Sequence, residues 1–165
     1  RLLGGQEGIG FGIAMNGLNG GRLNIAASSL GGAQAAFDRA AAYVADREAF
    51  GGKLIDEPTI RFTLADMATA LHTSRLMLHD AARALDNDAP DKVERCAMAK
   101  RYVTDACFTV ADQALQLHGG YGYLTEYGLE KILRDLRVHR ILEGTNEIMR
   151  VVVGRSVAAK ATSAG

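Results

Sequence analysis

The stretch Arg22–Arg47, RLNIAASSLGGAQAAFDRAAAYVADR, decides the fold. Leu23, Ala26, Leu30, Ala33, Phe37, Ala40 and Val44 return every three or four residues, the spacing of one apolar stripe on a helix. Asn19 or the glycines before it can start that helix, and Phe50-Gly51-Gly52 stops it. The same period continues downstream. Ile60, Leu64, Met67, Leu71, Leu78, Ala81 and Leu85 predict a second helix from about Pro58 to Asp86, with proline suited to its first turn. Cys96, Ala99, Val103, Ala106, Val110, Ala114 and Leu117 predict a third from about Asp91 to Leu117. A shorter helix over about 128–138 and a last one over about 145–159 complete the set. Long amphipathic helices joined by short breaks pack antiparallel, so the fold class is all-α, an up-down four-helix bundle.

Upstream, residues 1–21 hold eight glycines interleaved with Leu2, Ile9, Phe11, Ile13 and Met15. Glycine disfavours helix, so this part reads as a short extended N-terminal segment or linker. Gly8-x-Gly10 and Gly10-x-Gly12 lack the third glycine of a dinucleotide fingerprint. The chain starts at Arg1, without methionine, and reads as beginning mid-domain. The small-residue tail, 161–165, is expected to fray.

Length and charge narrow the classes. The 165 residues suit one domain with a single core. Nineteen basic and nineteen acidic residues without a one-signed run give no nucleic-acid or anionic-membrane surface. No apolar run spans a bilayer, so neither membrane insertion nor nucleic-acid binding is expected. Cys96 and Cys107 on one helix would lie ~16 Å apart. That is beyond disulfide reach, so they read as small core residues in a reducing compartment.

Four pieces could carry chemistry. In Arg140-Ile-Leu-Glu-Gly-Thr-Asn-Glu-Ile-Met-Arg150, Glu143 stands between apolar Ile141 and Leu142 and a glycine. A carboxylate partly desolvated on an apolar wall and aimed by a glycine turn suits a general base. Thr145 and Asn146 look like the start of the last helix, with Ile148, Val151 and Val152 as its apolar face. Arg47, at a helix end, can satisfy terminal carbonyls or clamp a phosphate or carboxylate. In Gln116-Leu-His-Gly-Gly-Tyr-Gly122, three glycines exceed what one helix cap needs and admit another backbone or a ligand. The charged run from Glu130 to Arg150 reads as a solvated face in which Asp135 pairs with Arg134 or Arg137. No Glu-x-x-His pair supports a di-iron centre; His72 and His79 read as surface or capping residues, and no metal is expected.

In order and spacing, Arg47-x-x-Phe50-Gly51, Leu64-Ala-Asp66-Met67, Gln116-Leu-His-Gly-Gly-Tyr-Gly-Tyr123, Glu130-Lys-x-x-Arg134-Asp135 and Glu143-Gly-Thr-Asn-Glu-Ile-x-Arg150 resemble the C-terminal domain of the acyl-CoA dehydrogenase family. Among its branches, the one acting on short branched substrates such as isobutyryl-CoA is most similar. The resemblance implies FAD-dependent α,β-dehydrogenation of a short or branched acyl-CoA, with Glu143 removing the α proton and the β hydrogen leaving as hydride to flavin N5. Gly144, Asn19 and Arg22 then correspond to substrate contacts, and Thr145, Asn146 and Glu147 to flavin contacts. Arg47, Phe50 and Gln116, Leu117, His118, Gly119 and Gly120 correspond to residues that reach the FAD of a neighbouring subunit. Some branches carry the base on the first helix, where this chain has Gly21. Pro58 stands where the family has a glutamine, Gly128 where it has a proline, and Asn19 where it has an aspartate.

The resemblance further implies electron-transfer flavoprotein as partner and a homo-oligomer, a dimer of dimers. It implies that residues 1–17 end a middle β domain, with 18–160 as the bundle. Alone, such a piece is expected to be inactive. The location would be cytoplasmic in a bacterium and the mitochondrial matrix in a eukaryote. The alternatives are a non-catalytic oligomerisation module and a related flavin oxidase.

Overall fold

The computed structural model describes residues 2–163. It is helical: α1 (Gly10–Asp46), α2 (Pro58–Asp86), α3 (Lys92–His118), α4 (Leu129–His139) and α5 (Asn146–Ser163). Between α1 and α2 lies a two-residue hairpin, β1 (Glu48–Ala49) against β2 (Gly52–Lys53), followed by a 3₁₀ turn over Leu54–Asp56. The helical prediction holds for all five helices, and the predicted bounds of α2 match.

α3 is the hub, packed against α1, α2, α4 and α5. Its face Val103, Cys107, Val110 and Ala114 is sealed against Ala26, Ala33, Ala36 and Ala40 of α1 and Met67 of α2. Alanine on α1 lets the two helix axes approach closely, and it loses no rotamer freedom on burial. A larger side chain there would overpack at a cost of about 1–3 kcal/mol. Cys96 and Cys107 are buried free thiols. Burial pushes the Cys107 thiol up to about 12.

The chain directions fix where the ends meet. The Tyr43 and His118 rings stack at 4.2 Å, so the C-terminal ends of α1 and α3 lie together. α5 runs back along α3: Asn146 sits at Thr104, and Ser156 donates to Glu94 at 2.6 Å, where Lys160 also pairs.

Three expectations change. The first helix begins at Gly10, so residues 10–17, expected to be extended, are helical. Within that segment turns and bends are confined to residues 3–8. Helix propagation adds one hydrogen bond per residue, and it carries α1 backwards past glycines that each cost up to ~1 kcal/mol. At the other end, residues 161–163 continue α5, and residues 164–165 of the expected frayed tail lie outside the described part. Finally, Asp135 pairs with Lys131 one turn away, at 2.5 Å, rather than with Arg134 or Arg137. The i,i+4 position faces its partner, whereas neighbours one or two apart do not.

Candidate functional site

The loop between α4 and α5 is closed by the Asn146 amide, which donates to the Arg140 carbonyl at 3.0 Å. Inside it the chain turns through positive φ twice, at Glu143 (55°) and Gly144 (91°). Gly144 meets the second with no Cβ penalty. Glu143 pays one, and an L residue held there points to a site that needs it. Thr145 accepts the Ile148 amide at 3.3 Å and caps α5.

Glu143 does not lie on an apolar wall of this chain. Ile141 and Leu142 turn outwards, 51% and 41% exposed. Met149, not Ile148 or Val151, supplies the buried anchor of α5. The half-buried carboxylate leans instead on α1 at Gly21. A Cβ there would lie 2.6 Å from the Glu143 carboxyl carbon. Any side chain at Gly21 therefore displaces the carboxylate. Gly21→Ala should swing the Glu143 carboxylate away from α1 while the melting temperature stays close to that of the unsubstituted protein, since the obstructing group is the end of a flexible side chain. A structure of the variant beside thermal denaturation checks both.

Beneath the loop lies a polar network. Lys100 is fully buried, and its ammonium donates to the Gly144 carbonyl at 2.7 Å and to Asn146 Oδ1 at 2.8 Å. Burial pushes this amine down to about 8, against the opposing pull of Asp105 and Glu147. Asn146 Nδ2 donates to Thr104 Oγ1 and Asp105 Oδ1, each at 3.0 Å. Asp105 also accepts from Arg140 Nε at 2.6 Å. On the α1 side, buried Arg22 donates from Nη1 to Asn19 Oδ1 at 2.9 Å, while its Nε is buried without a partner. Burial lowers the Arg22 guanidinium from its ordinary value. Arg22 and Lys100 both lie within Coulombic reach of Glu143.

Asn19, Arg22, Glu143, Gly144, Thr145, Asn146 and Glu147 thus gather at one end of the bundle. The Asn146 amide is committed inwards, so its side chain is unavailable to a ligand as placed. Thr145 is half-buried and Glu147 exposed.

The remaining candidates gather at the opposite end. Arg47, Phe50 and Gln116 to Gly120 line one groove of about 480 Å³ with Tyr43 and Tyr121. The Arg47 guanidinium lies over the Tyr121 ring, 5.7 Å from its centre. Among the described residues the guanidinium forms no ion pair or hydrogen bond; Arg47 caps α1 through its backbone N–H alone, which donates to the Tyr43 carbonyl at 2.8 Å. Phe50 sits at the hairpin tip with φ of 55° and is 92% exposed. His118 is buried, with Nδ1 on the Ala114 carbonyl at 2.9 Å. A free cation, an uncovered aromatic ring and two glycines with open space above them fit an anionic group joined to a flat one. Lys100 and His118 stand ~27 Å apart along α3, so these two clusters do not face one another.

Lys100, Thr104 and Asp105 are absent from the candidates that the sequence yields. One signal was available: Lys100 falls four residues after Cys96 and three before Val103, within the apolar stripe of α3. A lysine on a buried face has a job to explain.

A helical bundle with a strained carboxylate loop at one end and a cationic, aromatic groove at the other is an architecture with known relatives. Residues 8–158 match the family described as "Acyl-CoA dehydrogenase, C-terminal domain", and the chain belongs to that family. Members of the family are flavoproteins. The chain is 51% identical over 153 residues to mitochondrial isobutyryl-CoA dehydrogenase of Bos taurus, covering 93% of this chain and 37% of that protein. It is 40% identical over 149 residues to the caffeyl-CoA reductase-Etf complex subunit CarC of Acetobacterium woodii, covering 90% of this chain and 39% of that protein. The structure of butyryl-CoA dehydrogenase from Megasphaera elsdenii superposes with a TM-score of 0.90 at 40% identity, over 93% of this chain and 40% of the other. The chain therefore spans less than half the length of these relatives. No described helix is long and apolar enough to cross a membrane.

Proposed function

We propose that this chain carries the base-bearing half of an FAD-dependent acyl-CoA dehydrogenase site, and that Glu143 removes the α proton of an acyl-CoA thioester. The observation that carries this reading is the contact between Glu143 and Gly21. Two positions far apart in sequence, each a home for the base in one branch of the family, lie against each other in space. One holds a carboxylate and the other has room only for glycine.

The chemistry needs a base at one carbon and a hydride acceptor at the next. The α C–H bond breaks with its electrons left on carbon, the β C–H bond breaks with its electrons leaving, and a C=C bond forms. FAD, when bound, supplies the hydride acceptor. An α hydrogen is a weak acid, so the base must be placed before the reaction begins. The closed loop and its two positive-φ residues do that for Glu143. Asn19, Arg22 and Gly144 are the substrate-facing residues of the same corner, and Thr145 and Glu147 border the flavin.

Arg47, Phe50 and Gln116 to Gly120 would hold the pyrophosphate and adenine side of the cofactor. They lie at the far end from Glu143, so in this reading they serve a second subunit. That makes a homo-oligomer, a dimer of dimers, part of the site. Because the chain spans about two fifths of such enzymes, in this reading the 165 residues by themselves are inactive and unable to retain FAD. Residues before the bundle would lead in from a middle β domain. Identity to isobutyryl-CoA dehydrogenase supports a short branched acyl-CoA as substrate, and likeness to CarC supports electron-transfer flavoprotein as acceptor. The mitochondrial relatives support the mitochondrion, and within it the matrix, for a eukaryotic source; for a bacterial source the reading is the cytoplasm.

Acyl-CoA profiling of the full-length enzyme with an electron-transfer dye tests the substrate. Isobutyryl-CoA should give a kcat/KM at least roughly tenfold above that of an eight-carbon straight-chain acyl-CoA, the scale that a misfit of a few methylenes sets. Preference for the longer chain would overturn the assignment.

A further inference from the structure

The geometry points to Lys100 as the residue that positions the catalytic base, by holding the peptide next to Glu143 from inside the bundle. This rests on the reading of Glu143 as the base.

Lys100 is the largest wholly buried side chain among the described residues. Packing alone does not call for it. An apolar side chain of similar volume would fill the same space, and exchanging buried charges for apolar groups is often neutral or stabilising. Its explanation lies in what it holds. One hydrogen bond goes to the carbonyl of Gly144, the residue after Glu143, and a second to the side chain of Asn146, the first residue of α5. Both are short, and both are charge-assisted when the amine is protonated. Together they fix the two ends of a three-residue segment whose backbone runs through φ of 91° at Gly144. Without them nothing else among the hydrogen bonds of the described residues reaches the Gly144 carbonyl. The peptide could then rotate, and the Glu143 side chain would turn with it.

The network is layered so that Lys100 is not replaceable by its neighbours. Thr104 bonds Asn146 and the Lys100 carbonyl, Asp105 holds Asn146, Arg140 and Arg150, and neither Thr104 nor Asp105 touches the Gly144 peptide. Lys100 touches neither substrate nor cofactor in this account. It acts through Glu143 and is a positioning residue.

The test uses the full-length, FAD-loaded enzyme, with rates normalised to bound flavin. Lys100→Met keeps the length and removes the donors. We expect kcat to fall about 10- to 100-fold, on the scale of a misplaced reacting group, with KM for the acyl-CoA within roughly threefold. The deuterium isotope effect on kcat for substrate labelled at the α carbon should rise, because α-proton removal alone has slowed. A purely structural role would reduce the amount of active enzyme and leave the isotope effect where it was. Lys100→Gln, which stays polar but is one bond too short to keep both contacts, covers the case in which Lys100→Met fails to accumulate. It weakens the hold on the Gly144 carbonyl and should raise the isotope effect with a two- to fivefold fall in kcat, roughly the scale of one weakened hydrogen bond. An unchanged isotope effect in the variant that folds would overturn the proposal. Glu143→Gln run alongside separates the two readings. If it keeps turnover, the base assignment fails. If it is dead while Lys100→Met matches wild type, only the positioning role fails.

Discussion

Glu143→Gln in the full-length enzyme should lower turnover by roughly 10³- to 10⁴-fold, the upper range for loss of a general base, while the protein keeps its flavin. The amide fills the same space beside Gly21, so packing is preserved and only proton affinity is lost. Among the described residues no other carboxylate is poised to substitute. Glu147 is exposed, and Asp105 is tied to Arg140 and Asn146. Turnover with a dye, beside the flavin absorbance of the purified protein, reads both quantities. Loss of flavin together with activity would instead place Glu143 in cofactor retention.

Arg47→Ala should lose activity by a different route. In the proposed reading its uncommitted guanidinium would hold the cofactor's pyrophosphate, and a charge-assisted bond of this kind contributes about 1.5–3 kcal/mol. Flavin retention should therefore weaken roughly 10- to 100-fold. The sharper result comes from mixing. If Arg47 serves a neighbour's cofactor, a dimer of one Glu143→Gln chain and one Arg47→Ala chain contains one site with both defects and one with neither. Random pairing makes about half of the dimers mixed, so about a quarter of wild-type activity should return when two nearly inactive proteins are refolded or co-expressed together. If both residues serve the same chain's site, mixing restores nothing.

How much of this was legible in the sequence differs by feature. The helices are, because the stripes Ala26 to Val44 and Cys96 to Ala114 keep one period over many turns and bury as expected. The start of α1 is not, because glycine cost is a local quantity while helix propagation back from Asn19 to Gly10 is not. The motif residues are legible as a set, yet their partition is invisible in one dimension. Arg47 and Glu143 fall into separate clusters only once α1 and α3 are seen to run side by side with their C-terminal ends together. The nature of the wall behind Glu143 is misread from Ile141 and Leu142, since a turn with two positive φ values points both outwards. Lys100 carries a signal in its register but none in its surroundings. Its partner carbonyl belongs to Gly144, 44 residues away.

The central claim is that Glu143 takes a proton from the α carbon. The most direct measurement omits oxidation altogether. An acyl-CoA with α hydrogens but no β hydrogens cannot lose hydride, so in D₂O it reports only reversible proton removal. The wild-type, FAD-loaded enzyme should exchange the α hydrogens for deuterium, and Glu143→Gln with equal flavin content should leave them in place. Exchange at the wild-type rate in Glu143→Gln would contradict the account.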